Sequence, residues 1–111
     1  MIKKIISLTA LIFTLNIFPN IEEAIVIDVR SQAEWNTGHL SRATRMDWNT
    51  IANQISEIAP NKDTQIILYC RSGNRAGKSM KALNQLGYSN VTNAGGLESA
   101  RVLLQDKVIK D

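Results

Sequence analysis

The chain has 111 residues, room for one small domain, and its 44% hydrophobic content excludes a disordered or low-complexity chain. A single cysteine excludes a disulfide-stapled scaffold. The 13 Lys and Arg against 10 Asp and Glu give +3, yet residues 1–20 hold two of those cations and no anion. Without them the count is 11 to 10, too near neutral to favour a nucleic-acid partner.

Residues 1–20, "MIKKIISLTALIFTLNIFPN", place Lys3 and Lys4 before an almost unbroken apolar run from Ile5 to Phe18. A basic start and an apolar stretch of this length read as a secretory signal, too short for a comfortable membrane span. Apolar residues on every face argue against an amphipathic helix of the domain. "FPNIEEA" lacks a small-x-small cleavage pattern, so a retained anchor is the alternative, and only then is a membrane involved. Residues 21–111 are expected to form one exported, periplasmic domain, with a monomer as the expected state.

"AIVIDVR" (24–30) is a β-branched run that predicts a buried parallel strand ending in Asp28 and Arg30. Ser31 and Glu34 have the spacing of a capping box, which predicts a short helical turn. A loop follows over 36–44, then a brief extended piece at Thr44–Met46. Asn49 or Thr50 can cap a helix with Ile51, Ile55 and Ile58 on one face, stopped by Pro60. "TQIILY" (64–69) predicts a second buried strand. Met80, Leu83 and Leu86 give helical spacing from Arg75 or Ala76 to Leu86, with Gly87 as the cap. "NVTN" (90–93) predicts a strand, "AGG" a turn, and Leu97 to about Lys107 a last helix. Strands alternating with helices predict a three-layer α/β fold with a parallel sheet.

Cys70 stands directly after one predicted strand and before a helix, the carboxyl end where open α/β sheets bind ligands. In "YCRSGNRAGKS" (69–79), Gly73 and Asn74 tolerate left-handed backbone, so the loop can curl its N–H groups inward. A sulfur at that centre is favoured as thiolate, its reactive form. Arg71 and Arg75 add positive charge that can dock an anion. A structural cysteine that merely ends a strand lacks such electropositive neighbours. Of the two arginines, Arg75 is the stronger candidate, because a cation in a helix's first turn opposes the dipole.

"YCRSGNRA" resembles the active-site loop of the rhodanese family of sulfurtransferases. "IDVRSQAEWNTGHL" resembles the family's first signature, and "VTNAGGL" (91–97) its carboxyl-terminal Gly-Gly turn. Three motifs in the right order cover residues 25 to about 107. The resemblance implies a sheet of about four to five parallel strands flanked by helices. It implies Cys70 as sulfur-carrying nucleophile, with Arg71, Ser72, Gly73, Asn74 and Arg75 forming the substrate-binding loop. Asp28 and Arg30 would support the site, while His39 matches a histidine remote from the sulfur. The chain departs from the family after Gly38-His39-Leu40, where a Pro-Gly pair is replaced by Ser41 and Arg42. Arg42 and Arg45 are expected in solvent.

The implied reaction takes a sulfane sulfur from a small anionic donor such as thiosulfate onto Cys70, then passes the persulfide sulfur to cyanide or a thiol. It needs no metal or organic cofactor. The six-residue loop from Cys70 to Arg75 is one residue shorter than in phosphatases and arsenate reductases of this fold, which argues against a phosphate-sized oxyanion. A persulfide carrier that delivers sulfur to a partner protein, with little turnover, is the alternative. Disulfide exchange is disfavoured by the absence of a second cysteine.

Overall fold

The computed structural model describes residues 21–111. The expected signal or anchor at residues 1–20 lies outside the described residues. After a 3-10 turn at Ile21–Glu23, the chain forms β1 (Ile25–Asp28), α1 (Gln32–Asn36), β2 (His39–Leu40) and β3 (Thr44–Arg45). It continues with α2 (Ile51–Ile58), β4 (Ile66–Cys70), α3 (Asn74–Gln85), β5 (Val91–Gly96), α4 (Leu97–Leu104) and β6 (Val108–Ile109). Strands β3-β1-β4-β5 make one parallel sheet, and β2 pairs antiparallel with β6 in a small second sheet.

Period-2 alternation divides the core between the two faces of the parallel sheet. Ile27, Ile66, Leu68 and Cys70 point to one side, where they meet Ile51 and Ile55 of α2 and Leu83 of α3. Val26, Ile67 and Tyr69 point to the other, against Leu40 and against Ala100 and Leu104 of α4. The three-layer α/β fold with a four-stranded parallel sheet is the one expected.

Several local expectations need correction. Thr50 holds the N-cap position of α2 without a side-chain cap bond; its hydroxyl instead donates to Gln54 Oε1 at 3.1 Å. On α3 the buried stripe is Ala76, Ser79 and Leu83, while Leu86 is 44% exposed. Tyr88, just past Gly87, fills the core in its place, its hydroxyl donating to Ala59 O at 2.7 Å. Strand β5 runs on to Gly96, through the expected turn, because the end of β4 needs a hydrogen-bonded neighbour at Cys70. Helix α4 stops at Leu104 where Gln105 turns left-handed at φ 51°, which frees Val108 and Ile109 to pair with β2.

Arg42 and Arg45 are not the solvated cations expected. Arg42 donates to the carbonyls of Ile21, Glu22 and Ala24 at 2.8–3.2 Å, and Arg45 to that of Arg30 at 3.1 Å. His39 is buried with its ring stacked on Trp35 at 3.4 Å between centroids, bonded to Leu40 O and Asp111.

Candidate active site

Cys70 is the last residue of β4, fully buried, and the chain after it curls at once. Gly73 takes φ +99°, which lets the backbone turn back over the sulfur before α3 begins. Asn74 is already helical, so the left-handed position is Gly73's alone among loop residues. Gly73, at the N-cap of α3, has no side chain to cap the helix. The sulfur takes that part: Gly73 N–H donates to Sγ at 3.0 Å and Ala76 N–H at 3.4 Å. Burial pushes the Cys70 thiol up. The N–H groups of Ala76, Ser72, Gly73 and Arg75 together outweigh it and hold the thiol below its ordinary range. This is a site built to stabilise negative charge on sulfur.

The neighbouring strand shapes the loop from below. Asn93 of β5 donates through Nδ2 to Gly73 O at 2.9 Å and accepts from Gly95 N–H at 2.8 Å. Gly96 has ordinary extended backbone, yet a Cβ there would lie 2.4 Å from Arg71 O. Only glycine lets β5 pass so close beneath the Arg71–Ser72 peptide. Sequence reading took Asn93, Gly95 and Gly96 for a strand end and a turn. The Gly-Gly pair was the available signal, since adjacent glycines often mark close backbone approach.

Asp28 and Arg30 come together at the end of β1, as their spacing on either side of Val29 allows. Arg30 Nη2 donates to Asp28 Oδ2 at 2.7 Å and to Gly38 O at 2.7 Å, with Nε also on the carboxylate. The pair is almost wholly buried, so its hydrogen bonds are what make the burial tolerable. It ties β1 to the turn after α1.

Arg75, expected to dock an anion, is engaged elsewhere. Its guanidinium is engaged on the Glu34 carboxylate, Nη1–Oε1 at 2.7 Å and Nη2–Oε2 at 2.9 Å. A planar fork meets a planar carboxylate that α1 holds in place through its capping box with Ser31. The Arg75 bonds, with help from Ser31 and against the effect of burial, bring the Glu34 carboxyl down to about 2. Sequence reading assigned Glu34 to the capping box alone; the unexplained cation in the first turn of α3 was the signal that it had a partner. Arg71 has the opposite character. It is exposed, and no carboxylate or carbonyl engages its guanidinium among the described residues.

A cleft of about 610 Å³ opens at this end of the sheet. It is lined by Arg30, Ala33, Glu34, Thr37, Arg71, Leu97 and Glu98. Cys70 is not among the lining residues; its chain neighbour Arg71 is. Among the described residues no group of three His, Cys, Asp or Glu side chains is arranged to hold a metal ion.

The chain matches the rhodanese-like domain over residues 16–100. It is 31% identical over 98 residues to the thiosulfate sulfurtransferase PspE of Escherichia coli, covering 88% of this chain and 91% of that one. A sulfurtransferase of Allochromatium vinosum is 35% identical over 75 residues, 68% of each chain. Among solved structures, a rhodanese with anions from E. coli aligns with a TM-score of 0.72 at 26% identity, over 79% of this chain and 99% of that one. A thiosulfate sulfurtransferase from Pseudomonas aeruginosa aligns at 0.71 and 27% identity, over 80% of this chain and 17% of that one.

Proposed function

Because this chain belongs to the rhodanese-like family, whose chemistry is sulfur transfer, we propose that it moves a sulfane sulfur from thiosulfate, or a related donor, through a persulfide on Cys70 to a thiophilic acceptor. The observation that carries this reading is the sulfur itself, seated where the N–H groups of Gly73 and Ala76 point and holding the place of a helix cap. The thiolate attacks the outer sulfur of thiosulfate, a new S–S bond forms, and the old one breaks with its electrons leaving on sulfite. The acceptor then attacks the outer sulfur of the persulfide, and the electron pair of the breaking bond returns to Cys70. In both steps negative charge stays on sulfur near the loop, where preorganised N–H donors need no reorganisation to stabilise it. No cofactor is required. The amino-terminal pattern of Lys3, Lys4 and the apolar run supports a place of work outside the cytoplasm, which fractionation of the host tests.

The deciding experiment is the intact mass of the protein after incubation with thiosulfate, followed by steady-state turnover with cyanide. Wild type should gain one sulfur atom and release thiocyanate, and Cys70→Ser should do neither while keeping its fold. A sulfur-free wild type overturns the reading. A loaded protein that does not turn over with small acceptors redirects it to a carrier that delivers sulfur to a partner protein.

A further inference from the structure

Helix α1 carries Glu34, the carboxylate that engages Arg75, yet none of its five residues is buried. So short a helix does not hold itself in place, and its orientation has to come from tertiary contacts. Trp35, the residue after Glu34, makes them. Its ring lies on that of buried His39, 3.4 Å between centroids and 6° from parallel. Its indole N–H donates to Asp111 Oδ2 at 3.2 Å, and the other oxygen of that carboxylate, Oδ1, bonds His39 Nε2 at 3.1 Å. Ring nitrogens from α1 and β2 thus converge on one carboxylate, 76 and 72 positions away in the chain. The His39 bond, and then that of Trp35, hold the Asp111 carboxyl below its ordinary range, as expected of an ionised acceptor. Strand β6 delivers Asp111 to this place. Ile109 pairs with His39, Val108 pairs with Leu40, and a Cβ on Gly38 would stand 3.0 Å from Val108 Cγ1.

Resting on the sulfur-transfer reading above, we propose that Asp111 is a positioning residue for that reaction: through Trp35 and His39 it fixes α1 so that Glu34 meets Arg75 and the Cys70 loop keeps its curl. Asp111 touches none of the reacting atoms. Its effect passes from Trp35 to the adjoining Glu34, then to Arg75, whose own backbone N–H helps to hold the Cys70 thiol down. The Asp111 side chain is 69% exposed, so its loss removes little from the core while it frees α1 to turn.

The test is steady-state thiosulfate:cyanide transfer by the full chain, with Asp111→Ala and Asp111→Glu made both in wild type and in Glu34→Gln protein. Asp111→Ala should lower kcat about threefold and leave KM within about twofold, the size expected when an exposed charged contact is lost. Glutamate keeps both acceptor oxygens and should recover part of the rate. In Glu34→Gln protein, Asp111→Ala should cost nothing further, because the contact that it positions is already gone. A second readout follows α1 directly. With Trp48→Phe, Trp35 is the one indole left, and acrylamide should quench it more strongly once Asp111 is replaced by alanine. Wild-type kcat in Asp111→Ala, a full further loss in Glu34→Gln protein, or unchanged quenching of Trp35 overturns this inference and leaves sulfur transfer standing. A wild-type protein that takes no sulfur from thiosulfate overturns both.

Discussion

The segments 42–45 and 71–75 each carry two arginines within a few residues, and the sequence names a partner for none of the four. Arg42 and Arg45 are used by the fold. Their guanidinium groups hold backbone carbonyls at the start of the domain and at the end of β1. In the second segment the two cations divide. Arg75 is locked on Glu34, and Arg71 stays open toward the cleft. A cation's place in a sequence therefore says little about its work until its partners are known. The residue left without a partner is the one available to a ligand.

The comparison breaks most severely at Gly96, which touches the 71–75 segment and not the other. A Cβ 2.4 Å from Arg71 O must push backbone, and overpacking of this kind costs about 1–3 kcal/mol. Gly96→Ala should lower thiosulfate:cyanide kcat/KM about a hundredfold, since displacement of the loop misaligns the sulfur. Near wild-type kinetics would mean that β5 does not set the loop.

Next in size are Arg75→Ala and Glu34→Gln. Each removes one side of a partly exposed, two-bond pair, so each should destabilise by about 1 kcal/mol and lower kcat roughly tenfold through a looser loop. The double variant should be no worse than the poorer single, because the same contact is lost. Additive losses would return Arg75 to a direct role on substrate.

Acid titration sharpens the same contrast. Glu34 titrates near 2 when folded, below the unfolded value of about 4.3, so its contribution is present above pH about 4.3 and disappears as pH falls toward 2. Between those limits wild type should lose Tm more steeply than Glu34→Gln. Parallel curves would detach the shift from this pair.

Arg42→Ala should have the smallest effect on chemistry. It lowers Tm by releasing three carbonyl contacts near Ala24, while transfer per folded molecule stays within about twofold of wild type. A specific kinetic defect there would make the two segments alike after all.

The order of the four parallel strands and their helices, the two-sided core and the seat of Cys70 were legible because they depend on local signals. Period-2 alternation assigns Ile27 and Leu68 to one face and Val26 and Tyr69 to the other, and Ser31 with Glu34 marks a helix start within four residues. The coil of the loop was legible in Gly73 for the same reason. Tertiary structure decided the rest. The Glu34–Arg75 pair spans 41 positions, and the clearance between Gly96 and Arg71 exists only once β5 lies beside β4. Pairing of β6 with β2 and the replacement of Leu86 by Tyr88 in the core likewise depend on distant neighbours. Local sequence determines what a segment prefers; which charges cancel and which surfaces touch is settled only by packing between segments far apart in the chain.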